Sequence, residues 1–395
     1  MAAGSRVRDL HVLIVGAGIG GLTTALALQK AGIRVSIYEQ ASALAEVGAG
    51  LTVASNGSLV LQHLGLRAVL EDLAVVPGHG AVKHYRTGKT LVDIPRGATQ
   101  IERFGAPYCQ IHRNDLHQAL VAAVRSADSN CLHLNCTLED FGQDTNGVTA
   151  LFNKSRTARA DLLVGCDGIR STVRARLFGT EEPRFTGYVA WRGLIPMERM
   201  TEAMIVPDSA VWIGPGHFLT RYKIRRGELL NYVGIARTNS WVEEGWSVRS
   251  TVETLLAEFR GFEPVARSIL MATPPDQCFK WGLFDRDPLP TWTSGRVTLL
   301  GDAAHPITPF LGQGAVMALE DALLFARAVV AASSVSEALA RYEKARVSRA
   351  NHVLLASREN GVHLTTTDPD CYDAETHRNE ESLDLASYNA VTTPV

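Results

Sequence analysis

The sequence predicts an α/β protein in which a Rossmann-like nucleotide-binding domain is interleaved with a lobe of mainly antiparallel β-sheet and ends in a C-terminal helical segment. Three observations carry that expectation. Val12–Glu39 reads as strand, glycine turn, helix and second strand in unbroken order. A strand running into glycine and then helix returns at Ala160–Arg174 and at Arg296–Ala332, so the nucleotide-binding lobe is assembled from at least three separated segments. Between those returns, from Gly187 to about Val265, short β-rich runs alternate with turns, the pattern of antiparallel sheet.

The first unit is the most specific. Val12-Leu-Ile-Val15 is an apolar, β-branched run of the kind buried in parallel sheets. In the turn that follows, Gly16 permits the bend, Gly18 lets a pyrophosphate approach the backbone, and Gly21 lets the helix pack close to the sheet. The helix, read over Leu22–Ala31 and stopped by Gly32, offers unpaired N–H groups and its positive dipole end to phosphates. Ile33–Tyr38 is the second strand, and Glu39 ends it where a carboxylate can take both hydroxyls of an adenosine ribose.

Farther along, Val47–Val53 is a glycine-rich bend into an extended run, with Ser55 or Asn56 expected to cap a helix over Gly57–Leu64. Ala81–Tyr85, the Thr87-Gly88 turn and Leu91–Ile94 read as a hairpin of the second lobe. Arg113-Asn114-Asp115 opens an amphipathic helix with Leu116, Leu120, Val121 and Val124 on one face, Asn114 or Asp115 being its expected cap. Leu132–Leu138 and Val148–Phe152 suggest a small meander, and Ser171 a cap ahead of a basic helix. In the second lobe the strand-like runs are Tyr188–Ile195, Ala210–Ile213, Phe218–Ile224 and Leu229–Ala236, with a helix over Thr251–Phe259. Arg296–Leu300 is a strand, Ala315–Ala332 and Ser336–Asn360 are helices, and the polar stretch after Thr365 carries no recognisable chemistry.

Composition narrows the function classes. At 395 residues the chain suits two interleaved lobes, and 39 basic against 41 acidic residues disfavour a nucleic-acid-binding surface. Cys109, Cys131, Cys136, Cys166, Cys278 and Cys371 form no CxxC pair, which fits a reducing cytosol and no metal site. No run of eighteen apolar residues is present, and the polar MAAGSRVRD start leads straight into the first strand. The expectation is a soluble cytoplasmic protein without membrane or nucleic-acid partners, its oligomeric state open.

GAGIGG with Glu39, Gly165-Cys-Asp-Gly168, and Gly301-Asp302 followed by PFLGQG stand in fixed order, and this order resembles the class A flavoprotein monooxygenases. Ile111-His-Arg-Asn-Asp-Leu-His117, Ala190-Trp-Arg-Gly-Leu194 and Gly301-Asp-Ala-Ala-His-Pro306 are most similar to salicylate, 3-hydroxybenzoate and 6-hydroxynicotinate hydroxylases. The resemblance implies an FAD-binding domain over 1–78, 99–180 and 286–365, a substrate domain over 79–98 and 181–285, and a polar tail over 366–395. It implies that Gly16, Gly18 and Gly21, with Glu39 and the adjacent Gln40 at the ribose, hold FAD. Arg113 would contact the cofactor, Asp167 would serve FAD and NAD(P)H, and Asp302 would bind the ribityl chain. Gly312, Gly314 and Ala315 would lie along the isoalloxazine; the glycines remove side chains where a flat ring must touch backbone.

The implied reaction uses NADH or NADPH and O2 to hydroxylate a phenolic or hydroxy-aromatic acid through a C4a-hydroperoxyflavin. Such a ring wants a proton relay at its hydroxyl and a cationic or hydrogen-bonding partner for a carboxylate. His217, Arg221 and Tyr222 lie in the strand where related hydroxylases carry substrate-facing histidine and tyrosine. Arg221 and Tyr222 cannot share one face of a regular strand, so Tyr222, with His217, is the catalytic expectation. Trp191 and Phe310 are candidate aromatic walls, and His305 fixes the loop before Pro306. The 6-hydroxynicotinate enzymes carry a functional histidine where this chain has Thr52, which argues against that substrate and places any base elsewhere. Alternatives are a urate-type heterocycle, an isoprenoid epoxidation, or a flavin-binding protein without oxygenase activity.

Overall fold

In the computed structural model, residues 10–44, 49–239, 241 and 248–395 are described; the polar start and the Val47-Gly48 part of the glycine-rich bend lie outside them. The nucleotide-binding lobe is a six-stranded sheet in the order Thr293–Ser294, Val297–Leu299, Leu162–Gly165, His11–Val15, Arg34–Tyr38, Leu132–His133. All neighbours are parallel except the Thr293–Ser294 edge. Val12, Leu13 and Ile14 are fully buried, as a run without polar alternation requires. The chain leaves His11–Val15 toward one side of the sheet and returns on the other at Leu162–Gly165, so the strand order reverses between them. That reversal leaves a crevice at the carboxyl ends of the two strands, where open α/β sheets place ligands.

The helices Ile19–Lys30 and Gly314–Ala331 pack together over this sheet, and Val335–Thr366 lies beside the latter. Within the 99–180 segment, Leu132 and His133 join the parallel sheet, whereas Leu138–Asp144, Gly147–Phe152 and Arg156–Ala160 make the expected meander as a separate three-stranded sheet.

The second lobe is an eight-stranded sheet in the order Val248–Arg249, Phe279–Asp285, Arg184–Pro196, Leu229–Arg237, His217–Ile224, Ser209–Gly214, His79–His84, Thr90–Pro95. The hairpin from the first third of the chain thus becomes its edge, docked in parallel on Ser209–Gly214. Period-two alternation divides this sheet between two apolar layers. Trp191, Trp212, Leu219 and Tyr232 pack under the helices Val252–Glu258 and Pro264–Met271, while Tyr188, Ile213, Phe218 and Ile235 face Phe310 and Leu364.

Two expected caps differ. Ala54 and His112 occupy the N-cap positions of the helices Ser55–His63 and Arg113–Ala127, neither with a side-chain cap. Ser55 and Asn56 turn inward instead, Asn56 Nδ2 donating to Glu320 Oε1 at 2.8 Å, and Asp115 is drawn to Arg225 at 2.9 Å. Tertiary charges outbid the local helix ends for these side chains. Ser171 caps as expected, accepting from the Arg174 amide at 2.8 Å. The stretch after Thr365 is no loose tail: Leu385, Ala386 and Ala390 are buried, and Arg327 and Arg349 bind its carbonyl oxygens. Among the described residues no helix is long and apolar enough to cross a membrane.

Candidate functional site

A cavity of about 520 Å³ opens between the two lobes. One wall is the nucleotide-binding lobe: Gly18, Ile19, Arg113, Cys166, Gly168, Asp302 and the 311–315 turn. The opposite wall is the cavity face of the antiparallel sheet, with Arg192, Phe218, Thr220, Tyr222 and Val233.

The glycine turn has the geometry its composition predicts. Gly16 has φ +101°, and a Cβ there would sit 2.4 Å from the Cys166 carbonyl oxygen, so the two carboxyl ends at the strand reversal touch only because no side chain intervenes. A Cβ on Gly21 would lie 2.1 Å from the Gly16 oxygen. Gly18 and Gly168 differ: a Cβ on either meets nothing within 4 Å, because both face the cavity. The helix Ile19–Lys30 points its uncapped N-terminus at the same space. Bare backbone, an open rim and unclaimed amides form a cradle that fits the diphosphate and ring system of a flavin dinucleotide. Glu39 accepts from the Ala17 and Ala41 amides, both at 2.8 Å, which fixes it beside the turn while leaving lone pairs for ribose hydroxyls. Gln40 next to it is exposed.

Gly312, in the left-handed region at φ +63°, closes the turn ahead of the helix Gly314–Ala331; Gly312, Gly314 and Ala315 all line the cavity, as does Arg113. Asp302 lines the cavity; desolvation by the surrounding protein raises its carboxyl pKa, against the opposing pull of His305 and Arg113. His305 itself is fully buried, bound through Nε2 to Asp321 at 2.5 Å, and so holds the loop from behind. Asp321 also accepts from the Gly301 amide and from Arg346 Nε at 2.6 Å.

Three expectations are corrected. Asp167 does not turn toward the cavity: it accepts from Ser171 Oγ at 2.6 Å and the Val173 amide at 3.1 Å, stabilising the start of its own helix, and only Cys166 and Gly168 beside it reach the cavity. His217 sits on the sheet face away from Tyr222; its ring bonds Glu258 at 2.9 Å and the Pro215 carbonyl at 2.8 Å and stacks edge-on against Phe259. Trp191 likewise belongs to the far layer, with Nε1 on Ser250, while its neighbour Arg192 faces the cavity. In each case strand parity or a local cap claims the side chain. The same parity puts Arg221 behind the sheet, donating to the Pro207 carbonyl at 2.5 Å, and brings Tyr222 to the cavity, which Phe310 of the Pro309–Leu311 turn also lines.

The cavity-lining polar groups that sequence reasoning passed over come mostly from segments with no motif. Arg96 follows the edge strand, buried with its guanidinium 4.0 Å from the Tyr108 ring centre. Thr52 lines the same region and hydrogen-bonds Tyr108, whose phenol burial pushes up to about 12. Burial raises the Tyr222 phenol still further above its ordinary value, so it stays a neutral donor at any working pH. His377, Arg378, Asn379 and Glu380, from the stretch read as featureless, close this end of the cavity. Of these, Thr52 is marked in the sequence as standing where the 6-hydroxynicotinate enzymes carry a histidine, and Arg96, just after the strand Thr90–Pro95, offers a signal as an unusual charge ahead of Gly97.

Comparison with known proteins agrees with this geometry. The family model described as FAD binding domain matches residues 9–357. A 3-amino-4-hydroxybenzoate 2-monooxygenase of Streptomyces platensis is 37% identical over 89% of this chain and 87% of its own. A 6-hydroxynicotinate 3-monooxygenase of Pseudomonas fluorescens is 34% identical over 91% and 93%. Among solved structures, Klebsiella pneumoniae HpxO complexed with FAD and uric acid superposes with a TM-score of 0.86 at 26% identity, covering 95% of this chain and 96% of that one. The chain therefore belongs to the FAD-binding-domain family, among the class A flavin-dependent aromatic monooxygenases.

Proposed function

We propose that this FAD- and NAD(P)H-dependent monooxygenase hydroxylates a hydroxy-aromatic acid held between the 301–315 loop and the face of the antiparallel sheet that carries Tyr222. The observation that supports this most directly is the shared cavity: flavin-cradling backbone on one wall, and on the other a mostly apolar sheet face with a buried tyrosine and a buried arginine. Its relatives' named substrates, 3-amino-4-hydroxybenzoate and 6-hydroxynicotinate, are acids of that kind.

Bound FAD supplies the redox chemistry, taking reducing equivalents from NADH or NADPH and passing one oxygen atom of O2 to the ring. The protein's residues position and shield. Gly18, Gly168 and the amides at the start of Ile19–Lys30 hold the phosphates, Glu39 the ribose, and Asp302 with Arg113 the middle of the cofactor. Tyr222, kept neutral by burial, donates to the ring hydroxyl oxygen and stabilises negative charge as its proton leaves. Val82, Phe218, Ile235 and Phe310 exclude water from the aromatic face. The unpaired thiols of all six cysteines support a reducing, cytoplasmic setting.

The test is NADH and NADPH oxidation by the FAD-loaded protein with 3-amino-4-hydroxybenzoate, 3-hydroxybenzoate, 6-hydroxynicotinate and urate, with hydrogen peroxide quantified in parallel. An acid that accelerates oxidation with little peroxide and yields a hydroxylated product supports the reading. Stimulation by urate alone replaces the acid with a heterocycle, and stimulation by none removes the proposed substrate class.

A further inference from the structure

One end of the cavity holds a buried arginine whose guanidinium is paired with a carboxylate of the protein itself. Arg96 is buried, its guanidinium stacked 4.0 Å from the Tyr108 ring centre, and its Nη1 donates to Glu380 Oε1 in an ion pair whose two side chains are each only 7% exposed. The pair is nearly closed to solvent, yet both residues line the cavity. Glu380 belongs to the short segment 377–381, held at the cavity's end by the amides of 383–386 donating to its carbonyls at 379–381 and by the His363 contact to Thr376. The neighbouring Glu381 is fastened by Gln100 and Arg103 and also lies 3.7 Å from Arg96 Nη1, so Arg96 and Arg103 together hold the two consecutive carboxylates. His377 also lines the cavity; its Nδ1 bonds the Tyr372 hydroxyl at 2.9 Å, and its Nε2, though buried, has no partner.

A guanidinium stacked on an aromatic ring, with a carboxylate at one of its two Nη atoms and an orphaned imidazole nitrogen alongside, is suited to receive an aromatic acid. We propose that Arg96 is the anchor for the substrate's carboxylate and that Glu380 is an internal stand-in which the substrate displaces, so the 377–381 segment yields when an acid binds. The physical reason is charge balance. Arg96 and Arg103 already balance Glu380 and Glu381, and a third carboxylate beside Glu380 would be repelled strongly in so dry a site. A neutral substrate lacks the means to make this exchange. The inference rests on the acid-substrate reading above and adds the residue and segment that select for acids.

The experiment measures binding to the FAD-loaded protein by flavin absorbance, with 3-amino-4-hydroxybenzoate, 3-hydroxybenzoate and 6-hydroxynicotinate, each beside its carboxamide. Arg96→Gln is expected to weaken the best acid by on the order of 10- to 100-fold, as loss of a buried charge-assisted pair does, while moving its carboxamide less than about threefold. Glu380→Gln, which removes the internal competitor but keeps a hydrogen-bonding side chain, is expected to tighten the acid roughly fivefold or more and leave the carboxamide unchanged. The second variant decides the matter even if the first fails to fold. Acid binding that is equal in wild type and Arg96→Gln, or no tighter in Glu380→Gln, overturns the inference and leaves the hydroxylase reading intact. Failure of every acid to bind the wild type overturns both.

Discussion

Replacing Arg346 with methionine tests the ionic framework behind the cofactor loop. Arg346 is fully buried and holds Glu320 Oε2 at 2.7 Å and Asp321 Oδ1 at 2.6 Å, both carboxylates being themselves inaccessible to solvent. Removing one member of a buried ion pair costs about 3–5 kcal/mol because its partner is left charged and unpaired. Here each carboxylate keeps other partners: Arg349 and Asn56 on Glu320, His305 and the Gly301 amide on Asp321. The loss should therefore fall in the lower part of that range, roughly 3–4 kcal/mol. With an unfolding entropy of about 2.1 cal/mol/K per residue, a 395-residue chain drops by roughly 1.2 °C per kcal/mol, so Arg346→Met should melt about 4–5 °C lower. Thermal and urea melts of the FAD-loaded and FAD-free protein measure it. The triple variant Arg346→Met, Glu320→Gln, Asp321→Asn removes the stranded charges together and should recover at least half of the loss. A single variant that melts within 1 °C of wild type, or a triple variant less stable than the single one, would refute the argument. The same cluster sets a pH dependence. Burial alone would raise the Asp321 carboxyl, but His305 and Arg346 outweigh it and bring it down to about 2. A depressed carboxylate contributes stability above its unfolded value of roughly 4, lost as pH falls toward 2, so wild type and Arg346→Met should converge in acid.

Other substitutions follow from the site. Gly16→Ala places a Cβ 2.4 Å from the Cys166 oxygen at φ +101° and should abolish FAD retention, whereas Gly18→Ala meets nothing in the protein and should weaken FAD while leaving the FAD-free melt unchanged; equal melts for both variants would contradict this. Tyr222→Phe should slow product formation about tenfold or more, with flavin reduction within twofold in stopped-flow traces. Equal slowing of the two steps would remove its role at the ring hydroxyl. His217→Ala should leave turnover within twofold and act on stability instead. Burial lowers the His217 pKa, but Glu258 and the Pro215 carbonyl raise it further, for a net increase above 6.5. Stability from a raised histidine is complete below its unfolded pKa and fades as pH climbs through the folded one. The gap between wild type and His217→Ala should accordingly be wider at pH 6 than at pH 9, and a gap that grows with pH would speak against the pairing.

What the sequence determined by itself are the features encoded by neighbours along the chain. The apolar run Val12–Val15, the spacing of Gly16, Gly18 and Gly21, the Ser171 cap and the alternation that separates Tyr222 from Arg221 each rest on sterics or periodicity within a few residues, and each appears where the pattern put it. Tertiary structure decided which side chain meets which. Asn56 left its helix end for Glu320, 264 residues away, because a buried carboxylate needs donors more than this helix start needs a cap. Asp167 turned to its own helix, and strand parity carried His217 and Trp191 to the far layer. The substrate end of the cavity lay furthest from reach: Arg96 and Glu380 are 284 residues apart, neither sits in a motif, and their pairing exists only because the edge hairpin and the folded 366–395 stretch dock on the same opening. Local pattern fixes backbone conformation cheaply, but a site lined by long-range contacts is specified by packing, which no short window of sequence contains.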